Sequence, residues 1–109
     1  PTMSDDRTVY VLNALWFKPG GAQRYAEYLD ASRPLVESLG GAFLEPFEVT
    51  NALEGGFDPD LIFYGRYPSE EALFEMLASP EYQAIFHLRE EAVERSTTSL
   101  CRAADLGPR

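Results

Sequence analysis

The first strand candidate constrains the fold more than any other segment, because it is apolar on both faces. Residues 8–17 read TVYVLNALWF, a β-branched and aromatic run that ends at the turn sequence KPGG. Successive side chains of a strand point to opposite faces of its sheet. One face would carry Val9, Val11, Leu15 and Phe17, and the other Tyr10, Leu12, Ala14 and Trp16. Such a strand needs apolar cover on both sides.

The segments that follow alternate between helix and strand. Residues 21–39 have helical spacing of apolar side chains and end at Gly40 and Gly41, a typical left-handed stop. Residues 42–53 and 61–67 are strand candidates joined by the turn-rich EGGFDPD, and residues 97–103 predict a short last strand. Ser69 begins a second helical stretch, which Ser79 and Pro80 divide into two pieces.

The resulting β-α-β-β-α-β order predicts a ferredoxin-like α+β fold, a four-stranded antiparallel sheet with two helices on one face. The helices cover one face only, whereas the first strand is apolar on both. We therefore expect a homodimer that packs through the other sheet face. We expect residues 1–7 to be a disordered leader or tag scar, residues 8–104 one dimeric α+β barrel domain, and residues 105–109 a tail.

Composition and charge narrow the range of partners. The chain has 109 residues, of which 45% are hydrophobic and 25% charged, as in an ordinary small globular domain. A net charge of −9 argues against nucleic acid or an anionic membrane as a partner. The single cysteine, Cys101, has no CxxC or Cys/His partner, and no apolar run could span a bilayer. We expect a cytoplasmic protein with a small-molecule ligand and no metal or organic cofactor.

The last helical stretch places two basic residues on different faces. At about 100° per residue, Arg89 falls near the centre of the apolar face and His87 on the opposite side, beside acids. A guanidinium aimed at a sheet must be paired or must bind an anion. Arg89 is thus either an anchor for a carboxylate or enolate, or half of a structural ion pair. The acids available for such a pair are Glu45, Glu48 and Glu54. His87 is expected to be solvated.

Two stretches resemble the domain-of-unknown-function family 1330, which belongs to the dimeric α+β barrel superfamily. They are RYAEYLDASRPLVESLGGAFLEPFEVTNALEG and YPSEEALFEMLASPEYQAIFHLREEA. Their most specific part is SPEYQ followed six residues later by Arg89. The resemblance covers nearly all of residues 9–103 and implies ferredoxin-like subunits that pair through their sheets, but no reaction. Phe74 stands where the family usually has tryptophan. Arg66 stands where it has an acid, so that Arg66 and Arg89 could share an anion site, unless Arg89 uses another acid.

The wider superfamily includes cofactor-independent quinone-forming monooxygenases, lactone isomerases, polyketide cyclases and haem-degrading enzymes, which place a pocket between helices and sheet. By this fold-level analogy, we hypothesise a cofactor-free enzyme of monooxygenase, isomerase or cyclase type, acting on an aromatic or polyketide-like molecule that can be anionic. An arginine or asparagine could stabilise an enolate, and a tyrosine could shuttle a proton.

The catalytic candidates are Asn13, Tyr28 and Arg89. The substrate-binding candidates are Trp16, Tyr25, Ser32, Tyr64, Arg66, Phe74 and Phe86. Asn13 and Trp16 lie on opposite faces of their strand, so at most one of them can line the pocket.

Two other functions are open to such a chain. A non-catalytic small-molecule-binding or stress-related dimeric module fits because no well-placed histidine, Cys/His pair or carboxylate pair is visible. A haem-degrading enzyme is less favoured: Asn13 matches, but the companion tryptophan and histidine would fall at Met76 and Phe86. His87 is one residue away, about 100° off that face. A tautomerase using Pro1 is discounted because PTMSDD is polar, and Cys101 is expected to be a small buried hydrophobe.

Overall fold

A computed structural model of the protein describes residues 7–108 and has two layers, an antiparallel sheet and three helices that pack on one of its faces. Its elements are β1 (Val9–Phe17), α1 (Gly21–Ser38), β2 (Ala42–Phe43), β3 (Phe47–Glu48), β4 (Leu61–Tyr67), α2 (Glu70–Ala78), α3 (Pro80–Ala92) and β5 (Val93–Cys101). The strands lie in the order β2-β4-β1-β5, and β3 also pairs with β4. This is the expected ferredoxin-like α+β fold. The proposed leader lies outside the described residues except for Arg7.

The register of the central strand decides which side chains face the helices. Asn13 lies opposite Phe63 of β4 and Thr98 of β5, so these three side chains share the helix-facing side of the sheet. Tyr10 and Leu12 lie opposite Arg66 and Tyr64, which places that group on the other side, hereafter the outer face.

The first helix ends as its two glycines predict. Gly40 has a φ of 92°, and its N–H donates to the Glu37 carbonyl at 3.0 Å while the Gly41 N–H donates to the Val36 carbonyl at 2.9 Å. These two bonds form the Schellman arrangement, which satisfies carbonyls left free at the helix end. Gly41 also has to be a glycine for packing, because a Cβ there would lie 2.6 Å from the Arg66 carbonyl oxygen.

The break between α2 and α3 is a serine-capped junction, as the sequence predicts. The Ser79 hydroxyl donates to the Met76 carbonyl at 2.6 Å and accepts from the Tyr82 N–H at 3.2 Å. The Gln83 side chain donates to the Leu77 carbonyl at 2.7 Å. At the other end of α2, the Ser69 hydroxyl accepts from the Ala72 N–H at 3.1 Å. These bonds fix the direction in which α3 leaves α2.

Two strand predictions need correction. The region predicted as one strand over residues 42–53 forms two short strands, so the described sheet has five strands rather than four. Pro46, which has no N–H to give to a ladder, stands between them. The last strand begins at Val93, directly after α3, four residues earlier than predicted.

The core lies between the layers and is rich in tyrosine. Its buried members are Val9, Leu15, Tyr25, Tyr28, Val36, Phe63, Tyr67, Leu73, Met76, Tyr82 and Ala92. Within residues 7–108, no helix has the length and apolar character needed to cross a bilayer.

Candidate functional site

A cavity of about 440 Å³ lies between the helices and the sheet. Its polar lining comprises Asn13, Tyr25, Tyr28, Ser32, Tyr67, Tyr82 and Arg89, with Ser96, Thr98 and Ser99 of β5. Its aromatic walls are Phe43, Phe63 and Phe74. Phe74 and Leu100 both line the cavity although they are 54% and 47% exposed, so they mark its mouth. The volume lies near the small end of the range of about 300–1,000 Å³ for ligand pockets.

Four tyrosines converge on this cavity from three elements. The hydroxyl oxygens of Tyr28 on α1 and Tyr82 on α3 are 2.6 Å apart and buried. The ring of Tyr25 packs against that of Tyr28 with 5.2 Å between centroids. Tyr67 enters from β4, and all four side chains are buried.

Burial raises the pKa of three of these phenols, Tyr25, Tyr28 and Tyr67. It raises the pKa of Tyr25 above its ordinary value, by more than the charge and the hydrogen-bonding capacity of the nearby Arg89 guanidinium lower it. Burial, with Tyr82 alongside, also raises the pKa of Tyr28 above its usual range, and burial raises the pKa of Tyr67 to about 12. At neutral pH these three side chains therefore act as hydrogen-bond donors and not as bases.

Arg89 provides the positive charge of the cavity. It lies in the last turn of α3 and is half-buried. Within residues 7–108 the ion pairs found are Arg24–Glu27, Arg24–Glu91 and Arg33–Asp30, and none of them includes Arg89. The structural ion pair with Glu45, Glu48 or Glu54 is therefore not formed. The guanidinium faces neutral tyrosines instead.

Asn13 and Ser32 line the cavity, but each already donates a side-chain hydrogen bond to a backbone carbonyl of the protein. The Asn13 side-chain amide donates to the Val11 carbonyl at 3.2 Å. The Ser32 hydroxyl is buried and donates to the Tyr28 carbonyl at 2.8 Å. Each keeps an oxygen that can accept a hydrogen bond.

The structure brings six of the predicted candidates to this cavity: Asn13, Tyr25, Tyr28, Ser32, Phe74 and Arg89. The expectation that Asn13 and Trp16 cannot both line it is confirmed. Trp16 lies on the outer face, where its indole N–H donates to Asp58 at 3.2 Å and the Arg95 guanidinium lies 4.2 Å from its ring centroid.

Tyr64, Arg66 and Phe86 do not line the cavity either, and their assignment to it is wrong. Tyr64 and Arg66 alternate with Phe63 and Tyr67 along β4, so they point to the outer face. Arg66 and Arg89 consequently do not form a shared anion site within the subunit. Phe86 packs beside Tyr82 with 5.9 Å between ring centroids and contributes to the core.

Sequence reasoning missed Tyr67 and Tyr82 as site residues. Tyr82 lies seven residues before Arg89, two helical turns away on the same face, and this spacing could have identified it. The position of the Tyr67 ring in the lining depends on Gly65, because a Cβ at residue 65 would lie 2.8 Å from the Tyr67 hydroxyl oxygen. The missing side chain lets the Tyr67 ring lie back along β4. His87 is exposed, as expected.

The described part of the chain, residues 7–108, holds no group of three or more histidine, cysteine, aspartate or glutamate side chains that could bind a metal ion.

The fold defines a ferredoxin-like α+β protein with a cavity between its helices and its sheet. Residues 8–101 match the profile of DUF1330, a domain of unknown function, and the chain belongs to this family. No curated protein sequence matches it.

Solved structures extend the comparison. The RPA0582 protein of unknown function from Rhodopseudomonas palustris is 29% identical and superimposes with a TM-score of 0.81, over 92% of this chain and 85% of that chain. Rv0793 from Mycobacterium tuberculosis is 20% identical, with a TM-score of 0.67 over 93% and 99% of the two chains. A proposed antibiotic biosynthesis monooxygenase from Bacteroides thetaiotaomicron is 18% identical, with a TM-score of 0.64 over 96% and 95%. The last two likenesses concern the fold alone.

Proposed function

We propose that this protein binds a small aromatic or polyketide-like molecule in the cavity and transforms it without a metal or organic cofactor, as a monooxygenase, isomerase or cyclase. The observation that carries the proposal is the half-buried Arg89 guanidinium, which faces a cavity of about 440 Å³ walled by aromatic rings and has no carboxylate partner within residues 7–108. A cavity that is mostly apolar with a few convergent polar groups suits such a ligand.

The polar groups support a particular division of roles. Arg89 would hold an oxygen on which negative charge develops, and protonated Tyr25 would donate a second hydrogen bond to it. The Tyr28–Tyr82 pair would donate a further hydrogen bond to the substrate, since the raised pKa of Tyr28 disfavours proton transfer from it. Phe63 and Phe74 would hold the ring or chain of the ligand. The fold shared with the proposed monooxygenase from Bacteroides thetaiotaomicron is consistent with this role but does not specify it.

A non-catalytic binding module is the second candidate, and the composition of the lining favours it. Within the described residues, the cavity is lined by no histidine, aspartate, glutamate, lysine or cysteine. A reaction at this site would therefore have to draw its base from the substrate or from water.

We also propose that two subunits pack through their outer faces. Tyr10 and Tyr64 meet edge to face there with 6.4 Å between ring centroids, and Tyr64 is 43% exposed. Leu12 and Trp16 extend this apolar surface along β1. Aromatic side chains around an apolar centre are typical of interfaces, and a second copy of the chain would give the sheet its missing cover.

Native mass spectrometry of the purified protein tests binding and assembly together. A dimer that carries a small organic molecule would support both proposals and define the ligand class. If the dimer is empty, thermal shift measurements with naphthols and naphthoates follow, and failure of every aromatic compound to stabilise the protein would refute the binding function.

Catalysis needs a separate experiment. Dihydroxynaphthalenes and, separately, a linear polyketide mimic are incubated with the protein in air and under argon, and the products are analysed by mass spectrometry. A product that gains oxygen in air but not under argon indicates a monooxygenase. An isomer of unchanged mass indicates an isomerase. Loss of water from a linear polyketide mimic indicates a cyclase. Arg89→Gln should abolish the reaction, and Arg24→Gln is the matched control because Arg24 does not line the cavity and pairs with Glu27 and Glu91. Binding without turnover in every case would favour the non-catalytic module.

A further inference from the structure

We propose that the cavity takes phenols or enols that ionise near neutral pH, binds them as their anions, and lowers their pKa on binding. This inference rests on the proposed function of the same site and adds the charge state and chemical class of the ligand. Three properties of the cavity carry it: the sign of its charge, the nature of its hydrogen-bonding groups, and its aromatic walls.

The first property is a single positive charge without a negative one. Arg89 is the charged residue in the lining, and in the described chain it has no carboxylate within ion-pair distance. A half-buried guanidinium has lost part of its hydration, so an anion or several acceptors stabilise it. A bound monoanion would supply the missing charge, whereas a neutral molecule of the same shape would not.

The second property is the set of ionisable groups that face the cavity from each element. Helix α1 contributes Tyr25 and Tyr28, α3 contributes Tyr82 and Arg89, and β4 contributes Tyr67. The residues of α2, β1, β2 and β5 that line it carry no ionisable side chain. Among the described residues, the cavity thus lacks the side-chain types that titrate between about pH 4 and pH 9.

The tyrosines add hydrogen-bond donors around the positive charge. Burial favours the neutral form of Tyr25, Tyr28 and Tyr67, so none of these three brings a negative charge that would neutralise Arg89. The Tyr25 and Tyr67 hydroxyls can each donate to a bound oxyanion. In the Tyr28–Tyr82 pair one proton is shared between the two oxygens, which leaves the second O–H available.

The third property is an apolar wall that suits a delocalised anion. Phe43 and Phe63 meet edge to face with 5.6 Å between centroids, and Phe74 closes the mouth. A phenolate or enolate can place its oxygen at Arg89 and its ring or conjugated carbons against these side chains. No redox change takes place: the O–H bond of the ligand breaks, its electrons stay on the ligand oxygen, and the proton passes to water.

Para-nitrophenol is a direct probe, because it ionises near neutral pH and its anion absorbs visible light. Its absorbance is titrated with pH in the absence of protein and at saturating concentrations of the intact protein. An opposite charge within about 4–6 Å lowers the pKa of an acid by about one unit or more, a tenfold change in the ionisation constant. We expect a decrease of at least that size in the wild-type protein. Para-nitroanisole, which cannot ionise, should bind at least tenfold more weakly above the pKa of the phenol.

Variants assign the effect to named groups. Arg89→Gln should bring the pKa of bound para-nitrophenol back to its free value, Arg89→Lys should retain part of the decrease, and Arg24→Gln should retain all of it. Tyr25→Phe removes one donor and keeps the charge, so it should retain part of the decrease, and it serves as the second variant if Arg89→Gln does not fold.

A second phenol with a different pKa shows whether the ligand or a group of the protein ionises. With the weaker acid para-cyanophenol, the pH at which affinity stops rising should move up with the pKa of the ligand. An inflection at the same pH for both phenols would mean that a protein group titrates, and it would overturn the inference. Equal affinity for para-nitrophenol and para-nitroanisole would also overturn it while leaving the proposed function intact. If neither these compounds nor naphthols bind at all, the proposed function fails as well.

Discussion

The hydroxyl oxygens of Tyr28 and Tyr82 lie 2.6 Å apart in the interior and join α1 to α3 across the lining of the cavity. Both side chains are buried, and their rings meet nearly edge to face at 6.2 Å between centroids. One hydrogen bond therefore has two functions: it satisfies two buried polar groups, and it fixes the spacing of the two helices that supply Tyr25 and Arg89.

Removing both hydroxyls should destabilise the protein by less than the sum of the two single removals. Tyr28→Phe and Tyr82→Phe each leave the partner without its bond, and we expect each to lower the free energy of unfolding by about 1–3 kcal/mol. The double variant should fall short of the sum of the single effects by about 1 kcal/mol, because the second substitution removes a group that has already lost its partner.

Urea denaturation followed by the fluorescence of Trp16, the single tryptophan, measures these free energies. Tyr64→Phe is the control, since this ring is 43% exposed on the outer face, and it should change the free energy of unfolding by less than about 0.5 kcal/mol. Strict additivity of the two core substitutions would show that the hydroxyls do not interact in solution.

The buried phenols should also make the protein sensitive to alkali. The pKa of Tyr67 is raised from 10.0 to about 12 by burial, so the unfolded chain loses this proton at lower pH than the folded one. The stability linked to Tyr67 is therefore fully present below about pH 10 and is lost as the pH rises from about 10 towards 12. The total is on the order of 3 kcal/mol.

Tyr25 and Tyr28 act in the same direction, because burial raises the pKa of each. Urea denaturation at intervals between pH 8 and pH 11.5 should show a falling free energy of unfolding, and Tyr67→Phe should reduce the slope of that decrease. An unchanged slope in Tyr67→Phe would mean that this phenol is not shielded from water.

Gly65 should not tolerate a side chain. A Cβ there would lie 2.8 Å from the Tyr67 hydroxyl oxygen and 2.9 Å from its Cε2, and the Tyr67 ring is held in the core. We expect Gly65→Ala to lower the free energy of unfolding by about 1–3 kcal/mol, the usual effect of overpacking, and to push the ring into the cavity. In a Tyr67→Leu background, which removes the clashing atoms, the same substitution should have a smaller effect. Urea denaturation of the wild type, the two single variants and the double variant tests this prediction. An equal loss of unfolding free energy from Gly65→Ala in both backgrounds would contradict it.

The sequence predicted the helices well because their boundaries have local causes. Gly40 ends α1 and Ser79 divides α2 from α3, and both act through hydrogen bonds to residues a few positions away. Arg89 was also placed correctly on the side of α3 that faces the core, since helical spacing alone decides it.

The inward and outward faces of the strands were harder to predict, because the elements that pack against each face are distant in the sequence. In LIFYGRY both faces of β4 carry aromatic residues, so the pattern does not reveal that Tyr67 faces the cavity while Tyr64 faces outward. That choice depends on the register with β1 and on the space above Gly65. Strand β5 is exposed along most of its length, so it has no apolar alternation from which its start could be read.

A charge at the centre of the outer face should separate the proposed dimer without disturbing the cavity. Leu12 lies opposite Tyr64 on that face, so Leu12→Glu would place a carboxylate where a second sheet is expected to pack, and burying it there would be costly. We expect light scattering after gel filtration to give twice the mass of one chain for the wild type and the mass of one chain for Leu12→Glu. Ala26→Glu, on the exposed side of α1, is the control and should remain a dimer. Circular dichroism shows whether Leu12→Glu is folded, and a folded Leu12→Glu protein that is still dimeric would place the subunit contact elsewhere on the molecule.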